Sequence, residues 1–182
     1  MIKKRLLYHP ALPHPDLMSF DVFLNLEVSG DLILHYEMNG ALDQLMIPDK
    51  LPAARTDKLW EHTCFETFIA VEGELGYLEY NFSPSSQWAG YAFSNYRVRC
   101  DWILNHSPVV EVMQMPKRLV LTAKLAPKML PLNPHHLPLR IGISAVLEAQ
   151  DGTQSYWALH HPLDHPDFHH QAGFNALVTH KN

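Results

Sequence analysis

The sequence has only two cysteines, Cys64 and Cys100, among its 182 residues. Two are too few for a disulfide scaffold, and their positions lack the spacing of a metal-binding cysteine pair. Cys64 lies in an apolar run and Cys100 lies two residues before Trp102. We therefore expect both thiols to be small core or half-buried residues. The apolar surroundings of Cys64 argue against the lowered pKa of a nucleophile.

Positive charge is also scarce, because 14 Lys and Arg residues face 19 Asp and Glu residues and leave a formal net charge of −5. No basic stripe follows Lys3, Lys4 and Arg5, so binding to duplex nucleic acid is not expected. No apolar run is long enough for a signal peptide or a membrane span, and Pro10 interrupts the N-terminal stretch. We expect a cytoplasmic protein with reduced thiols and no membrane partner.

Several enzyme motifs are missing. The chain has no GxSxG, no P-loop and no GxGxxG. Long helical periodicity is missing as well, and the best helical candidates are the short stretches AARTDKLW and APKML. Most of the 14 prolines fall between apolar segments, where they interrupt helices without breaking strands.

Alternation of apolar and polar residues dominates the chain. In FDVFLNLEVSGDLILHYEM, Val22, Leu24, Leu26 and Val28 share one face, and a tight turn at residues 29–31 precedes a second alternating run. This pattern predicts a β-hairpin. Further paired or single strands are predicted in CFETFIAVEG, YLEYNFSPSSQWAGYAF, VVEVMQMPKRLVLTAKL, LRIGISAVLEAQDGTQSYWAL and FNALVTH.

Many short strands with regular turn signals predict an all-β fold, an antiparallel sandwich of two sheets with short helical turns in its loops. The hydrophobic content of 47% supports a real core, and we expect one domain over residues 1–182. An exposed sheet edge could pair two chains, and the sequence favours neither a monomer nor an oligomer.

Two strand regions carry candidate binding residues. Trp60 precedes a strand in which Glu66 shares a face with apolar neighbours, so its carboxylate needs a partner: an arginine, a ligand hydroxyl or a cation. Asn81, Trp88 and Tyr91 flank a polar turn, and such aromatic side chains stack on flat ligands or sugar rings. A structural ion pair for Glu66 and a core position for Trp88 are the alternatives.

The most unusual stretch is YWALHHPLDHPDFHHQAGF, which we expect to be a loop entering the last strand. Its prolines prevent one helical face from gathering the histidines, although a loop can still bring His and Asp side chains to a metal. Trp157, His160, Asp167 and His169 are the candidates for a site there. The alternative is a polar surface loop.

Three blocks, RTDKLWEHTCFETFIA, YLEYNFSPSSQWAGYAF and GISAVLEAQDGTQSYWALHHPLDHPDFHHQAGF, together resemble the small bacterial DOMON-like proteins, which are related to family 9 carbohydrate-binding modules. The resemblance implies a β-sandwich that binds a sugar or, in the wider superfamily, haem. Trp60 and Glu66 match the modules' pattern. His62 and Thr63 replace an acidic pair, which leaves fewer of the oxygen ligands that calcium requires.

We therefore expect a non-catalytic domain that binds a small sugar-like molecule. The alternatives are a haem-binding domain, a metal-dependent enzyme using residues 160–170, and a purely structural role. A sugar-binding domain would need no cofactor, whereas the haem-binding and enzyme alternatives would need haem or a divalent metal. The predicted ligand-binding residues are Trp60, Glu66, Asn81, Trp88, Tyr91, Trp157, His160, Asp167 and His169.

Overall fold

The alternating segments pair into two antiparallel sheets in the computed structural model, which describes residues 1–179. The strands in chain order are β1 (Ile2–Arg5), β2 (Leu7–Tyr8), β3 (Leu17–Leu26), β4 (Leu32–Gly40), β5 (Cys64–Val71), β6 (Tyr77–Phe82), β7 (Trp88–Asn95), β8 (Val98–Cys100), β9 (Val109–Met115), β10 (Arg118–Leu125), β11 (Leu139–Glu148), β12 (Gln154–Ala158) and β13 (Ala176–Val178). The helical elements within residues 1–179 are 3-10 turns at Leu42–Gln44, Leu59–Glu61, Pro127–Met129 and Gln171–Gly173.

The smaller sheet has the strand order β1-β3-β4-β10-β9, and the larger has the order β2-β12-β11-β5-β6-β7-β8, with β13 pairing β11. The predicted hairpin at residues 29–31 joins β3 to β4, and Leu26 faces Leu32 where it closes. The predicted all-β sandwich with short helical turns is confirmed.

The core lies between the two sheets and is built by the inward residues of each alternation. Leu24, Tyr36 and Leu121 of the smaller sheet meet Phe65 and Ile143 of the larger sheet in one apolar cluster. Tyr36 also donates a hydrogen bond to the Glu66 carbonyl at 3.0 Å, which links the sheets directly. Burial of this apolar surface is the main force that holds the sheets together.

The larger sheet is covered on its outer face as well, unlike a half-solvated antiparallel sheet. Every residue of β5 and of β6 is buried, on both faces. The covering segments are the loop before β5 and the histidine-rich loop after β12. This cover creates a second, smaller interior beside the sandwich core, and the candidate site lies there.

Some local expectations were wrong. Cys64 is buried as predicted, but Cys100 is exposed on β8. Val28 is 88% exposed, because β3 ends at Leu26 and the turn begins before Val28.

The short edge strand β1 was not predicted from sequence, since its basic residues resemble a surface segment. Two of them, Lys3 and Arg5, contact Asp21 of the neighbouring strand at 3.2 and 3.0 Å.

Among the described residues, no helix has the length and apolarity that a membrane span needs.

Candidate functional site

Two apolar clusters cover the two ends of the larger sheet's outer face. At one end, Leu59 from the loop before β5 packs against Cys64, Ala89 and Tyr91. At the other end, the second cluster comprises Phe68, Ala70, Tyr77 and Phe174, with Phe93 and Phe168 packed against it. Alternation along β5 places Glu66 on the same face between Cys64 and Phe68, so a carboxylate lies between the two apolar ends.

A cleft of about 870 Å³ opens over this middle region. Its floor is the outer face of the larger sheet, one wall is the loop before β5, and another is the histidine-rich loop. The residues that line it are Trp60, Glu61, His62, Glu66, Glu79, Tyr91, Phe93, Arg97, Arg99, Val146, Gln154, Tyr156, Pro166, Phe168 and His169. Concave, partly aromatic clefts with a few convergent polar groups are typical small-molecule sites.

Glu66 on the floor is buried, and one of its oxygens accepts a hydrogen bond from the Ser144 hydroxyl at 3.3 Å. Burial, and next the charge of Glu79, raises the pKa of Glu66 well above its ordinary value, against the opposing hydrogen bond from Ser144. An arginine, Arg55 or Arg97, was one of the alternative partners expected for this carboxylate. Instead, Arg55 donates to the Gly90 carbonyl and Arg97 pairs with Asp167.

Glu79 lies on the same face of the neighbouring strand β6 and is also buried. Its Oε1 accepts a hydrogen bond from the Asn81 amide at 2.9 Å. Burial raises the pKa of Glu79 to about 7, although the Asn81 hydrogen bond and the charges of Arg99 and Arg97 oppose the change. The floor therefore carries two neighbouring carboxyl groups whose pKa values are both raised, because burial favours their neutral forms.

His169 connects the histidine-rich loop to this floor. Its Nε2 lies 3.7 Å from Glu79 Oε2, and its Nδ1 lies 2.8 Å from the Tyr77 hydroxyl. Burial, and next the charge of Arg97, lowers the pKa of His169 to about 4, despite the opposing charge of Asp167. The neutral imidazole can accept a hydrogen bond from the Tyr77 hydroxyl at Nδ1, and its own proton then lies on Nε2, which faces Glu79.

Asp167 is one of the residues that attach this loop to the sheet. It accepts hydrogen bonds from Tyr96 at 2.6 Å, from the Arg97 guanidinium at 2.8 Å and from the His169 backbone N–H at 3.1 Å. Burial alone would favour its neutral form, but the hydrogen bonds from Tyr96 and Arg97 lower the pKa of Asp167. Asp167 thus stays ionised and joins the loop to the β7–β8 turn.

Aromatic rings form the upper walls of the cleft. Trp60 meets Tyr91 edge-on with ring centroids 5.7 Å apart, and the Arg99 guanidinium lies 4.2 Å from the Tyr91 centroid. The Tyr91 hydroxyl donates to Asp57, which fixes the ring. On the opposite wall, Tyr156 and Phe168 lie with centroids 6.0 Å apart. These rings offer apolar faces on both sides of a polar floor.

The structure brings together Trp60, Glu66, Tyr91 and His169 of the predicted set as cleft-lining residues. Asn81 is fully buried beneath them and contacts Glu79. Asp167 acts from behind the wall, as described above.

The remaining three predicted residues lie elsewhere. Trp88 and Trp157 are buried in the core between the sheets, because each stands on the inward face of its strand. His160 is exposed and borders a separate cavity of about 10 Å³. Gly90, between Trp88 and Tyr91, was expected from sequence to leave space for a ligand above the sheet. That expectation was wrong, because a Cβ there would come within 2.8 Å of Leu104 Cδ2.

Within residues 1–179, no three His, Cys, Asp or Glu side chains are arranged to hold a metal ion. A haem site in the wider superfamily would use Met and His as iron ligands, and no methionine among residues 1–179 lines the cleft. Met38 is in the core, whereas Met113 and Met115 are exposed on β9, which belongs to the smaller sheet.

Sequence reasoning missed Glu79, Tyr77 and Phe93, and it missed the roles of Arg97 and Arg99. The signal for Glu79 was available. In YLEYNF, Glu79 is a carboxylate among mostly apolar neighbours on a strand. The same observation led to the prediction of Glu66. The arginines have no comparable signal, since they follow β7 in an exposed turn and strand.

The crystal structure of a proposed carbohydrate-binding protein from Bacteroides uniformis ATCC 8492 superposes on this chain with a TM-score of 0.68. The alignment covers 95% of this chain and 84% of that one, at 14% sequence identity. The two chains share a fold. No protein-family model matches the sequence, and no curated protein matches it. Membership of the DOMON-like family therefore stays a prediction.

Proposed function

We propose that the protein is a non-catalytic binding domain for a small sugar-like molecule, which it holds in the cleft on the outer face of the larger sheet. The observation that carries this proposal is the composition of the cleft. Trp60 and Tyr91 on one wall and Tyr156 and Phe168 on the other flank a floor of buried carboxyl groups. Ring faces pack on the apolar face of a sugar, and polar groups below them bind its hydroxyls.

The protonation of the floor suits hydroxyl binding. A neutral carboxyl donates one hydrogen bond and accepts others, as a sugar hydroxyl also does. Glu66 and Glu79, with their raised pKa values, supply this capacity at neighbouring positions, and the Nε2 of His169 supplies a further donor. The fold shared with a proposed carbohydrate-binding protein is consistent with this role.

Calorimetric titration with a panel of mono- and disaccharides tests the proposal. We expect saturable binding to at least one sugar, weakened about tenfold by Trp60→Ala, because Trp60 is a partly exposed wall residue whose loss removes ring contact. Phe23→Ala is the matched control, since Phe23 belongs to β3 of the opposite sheet. Equal effects of the two variants, or no binding by the wild type, would contradict the proposal.

The non-catalytic part of the proposal has its own test. A bound sugar incubated with the protein should be recovered unchanged, as followed by proton NMR of the sugar. Turnover that is lost in Glu79→Gln would instead make the floor carboxyls an acid/base pair.

A further inference from the structure

We propose that the floor of the cleft binds a primary ammonium group, so that the preferred ligand is an amino sugar rather than a neutral one. This inference rests on the proposed sugar-binding function and names its ligand class. The floor holds acceptor oxygens that receive no hydrogen bond from any of residues 1–179.

Neither floor carboxylate has an ion-pair partner among Lys and Arg side chains in the described part of the chain. Among residues 1–179, Ser144 donates a hydrogen bond to one oxygen of Glu66, and the other oxygen receives none. Glu79 receives one from Asn81, and its other oxygen faces His169 at 3.7 Å. Unpaired buried carboxyl groups are costly, so a site that keeps two of them side by side is built to meet a cation or to share protons.

Asn81 provides an independent observation. Its side chain is fully buried, and its Oδ1 accepts no hydrogen bond within residues 1–179. The same residue stands directly opposite Glu66 in the pairing of β5 with β6, and it is two residues from Glu79 on the same face. A buried amide oxygen without a donor is rare in a folded protein and marks a place where a donor is expected.

These three groups match the chemistry of an ammonium. A primary ammonium carries three N–H donors and no acceptor, whereas a sugar hydroxyl carries one donor. Glu66 and Glu79 line the cleft and offer the free oxygen of one and the second oxygen of the other to the ammonium, while the Asn81 Oδ1 lies beneath them on the same face of the sheet. The aromatic walls then hold the sugar ring, and Tyr91 adds a ring face that attracts a cation.

The two arginines that line the cleft do not form ion pairs with Glu66 or Glu79. Arg97 is bound to Asp167 at 2.8 Å, and Arg99 lies over the Tyr91 ring. Both lie toward β8, at the edge of the sheet, and their charges lower the pKa of Glu79 without forming a contact ion pair. An ammonium ligand would ionise the floor carboxyls, so its binding should release protons to the solvent.

Three disaccharides with one β-1,4-linked skeleton test this inference on the full chain near pH 7. They are chitobiose with free amino groups, N,N′-diacetylchitobiose and cellobiose, which differ in the ammonium, acetamide or hydroxyl at C2. We expect the diamino disaccharide to bind about tenfold or more tightly than cellobiose. Titration in two buffers of different ionisation enthalpy should detect proton release for the diamino disaccharide only.

In Glu66→Gln and in Glu79→Gln, the affinity for the diamino disaccharide should fall to about that for cellobiose. Both variants keep the shape of the floor but cannot ionise. Glu111→Gln, on β9 of the opposite sheet, removes the same charge outside the cleft and should keep the full preference. Equal binding of the three disaccharides would overturn the amino-sugar inference and leave sugar binding standing. Binding that depends on added Ca²⁺ would also overturn it, and no binding of any of the three would count against both proposals.

Discussion

At the scale of single residues, Glu79 Oε2 and His169 Nε2 lie 3.7 Å apart, and the pKa values of the two groups are shifted in opposite directions. Burial is the first cause in both cases, raising the pKa of Glu79 to about 7 and lowering the pKa of His169 to about 4. Between these values both groups are neutral. The Tyr77 hydroxyl, which accepts from the Arg97 backbone N–H at 3.1 Å, is then free to donate to the imidazole.

The raised pKa of Glu79 has a consequence for stability. A carboxyl group whose pKa is higher in the folded than in the unfolded chain stabilises the fold fully below the unfolded value, here 4.5, and this contribution is lost as the pH rises through about 7. A histidine with a lowered pKa acts in the opposite direction, so the wild-type curve alone does not isolate Glu79. A difference between variant and wild type does.

We therefore predict the pH dependence of Glu79→Gln relative to wild type. Gln does not titrate, so the free energy of unfolding of the variant minus that of the wild type should rise by about 3 kcal/mol between about pH 4.5 and pH 8. Urea unfolding at several pH values measures this difference. Glu111→Gln on the opposite sheet is the control, and a flat difference for Glu79→Gln would show that its carboxyl is not desolvated.

Single residues also mark where sequence reasoning succeeded and where it stopped. Glu66 was recognised because a carboxylate between apolar neighbours on one strand face is informative by itself. Trp88 and Tyr91 were grouped by closeness in sequence, although three residues along a strand reverse the face. The structure accordingly places Tyr91 in the cleft and Trp88 in the core.

At the scale of elements, the histidine-rich loop is attached to the sheet at a few points. Asp167 binds the β7–β8 turn through Tyr96 and Arg97, and Phe174 lies against Gly142 of β11. A Cβ at position 142 would come within 2.5 Å of Phe174 Cδ1, so glycine is what allows this close approach. The loop wall of the cleft depends on these contacts.

Asp167→Ala tests that attachment. Loss of hydrogen bonds to an ionised carboxylate should lower the free energy of unfolding by about 1–3 kcal/mol. Hydrogen exchange of residues 159–174 should accelerate, and sugar binding should weaken because His169 and Phe168 lose their position. Asp164→Ala is the matched control: Asp164 lies in the same loop, but its side chain is fully exposed and contacts the neighbouring His165. Similar exchange in both variants would mean that Asp167 does not hold the loop.

The strands themselves were largely predictable from alternation and turn residues. The predicted pairs around residues 83–86, 116–117 and 150–152 all form. The last predicted strand forms at Ala176–Val178, and its final residue, His180, lies outside the described residues. The short edge strands β1, β2 and β8 were not predicted. They contain two to four residues, too few for a period of two to be visible.

At the scale of the whole molecule, the two sheets share one core, and we propose that they unfold together as one domain. Phe20 of the smaller sheet packs edge-on against Phe65 of the larger sheet, with ring centroids 5.6 Å apart, and the Tyr36 hydroxyl bonds the Glu66 backbone. Neither inner face could remain exposed to water without the other, since each is almost wholly apolar.

Cooperative unfolding gives a prediction for Leu121→Ala. Leu121 is buried on β10, and its truncation should cost about 2–5 kcal/mol. Although the change is in the smaller sheet, it should lower two unfolding midpoints by the same amount. One midpoint is followed by tryptophan fluorescence, to which Trp88 and Trp157 of the core contribute, and the other by far-ultraviolet circular dichroism. Val109→Ala, at an exposed position on β9, should change neither midpoint appreciably. Separate transitions for the two probes would indicate two folding units.

The sequence by itself determined which residues share a strand face and where the chain turns, because alternation and turn chemistry are local properties. It therefore determined the sandwich and the position of Glu66 among apolar neighbours. Only the tertiary structure decided which face of β5 looks at the core, since both faces are buried. It also decided that His169 reaches Glu79 across 90 positions of chain, because loop packing on a sheet depends on contacts that no local pattern encodes.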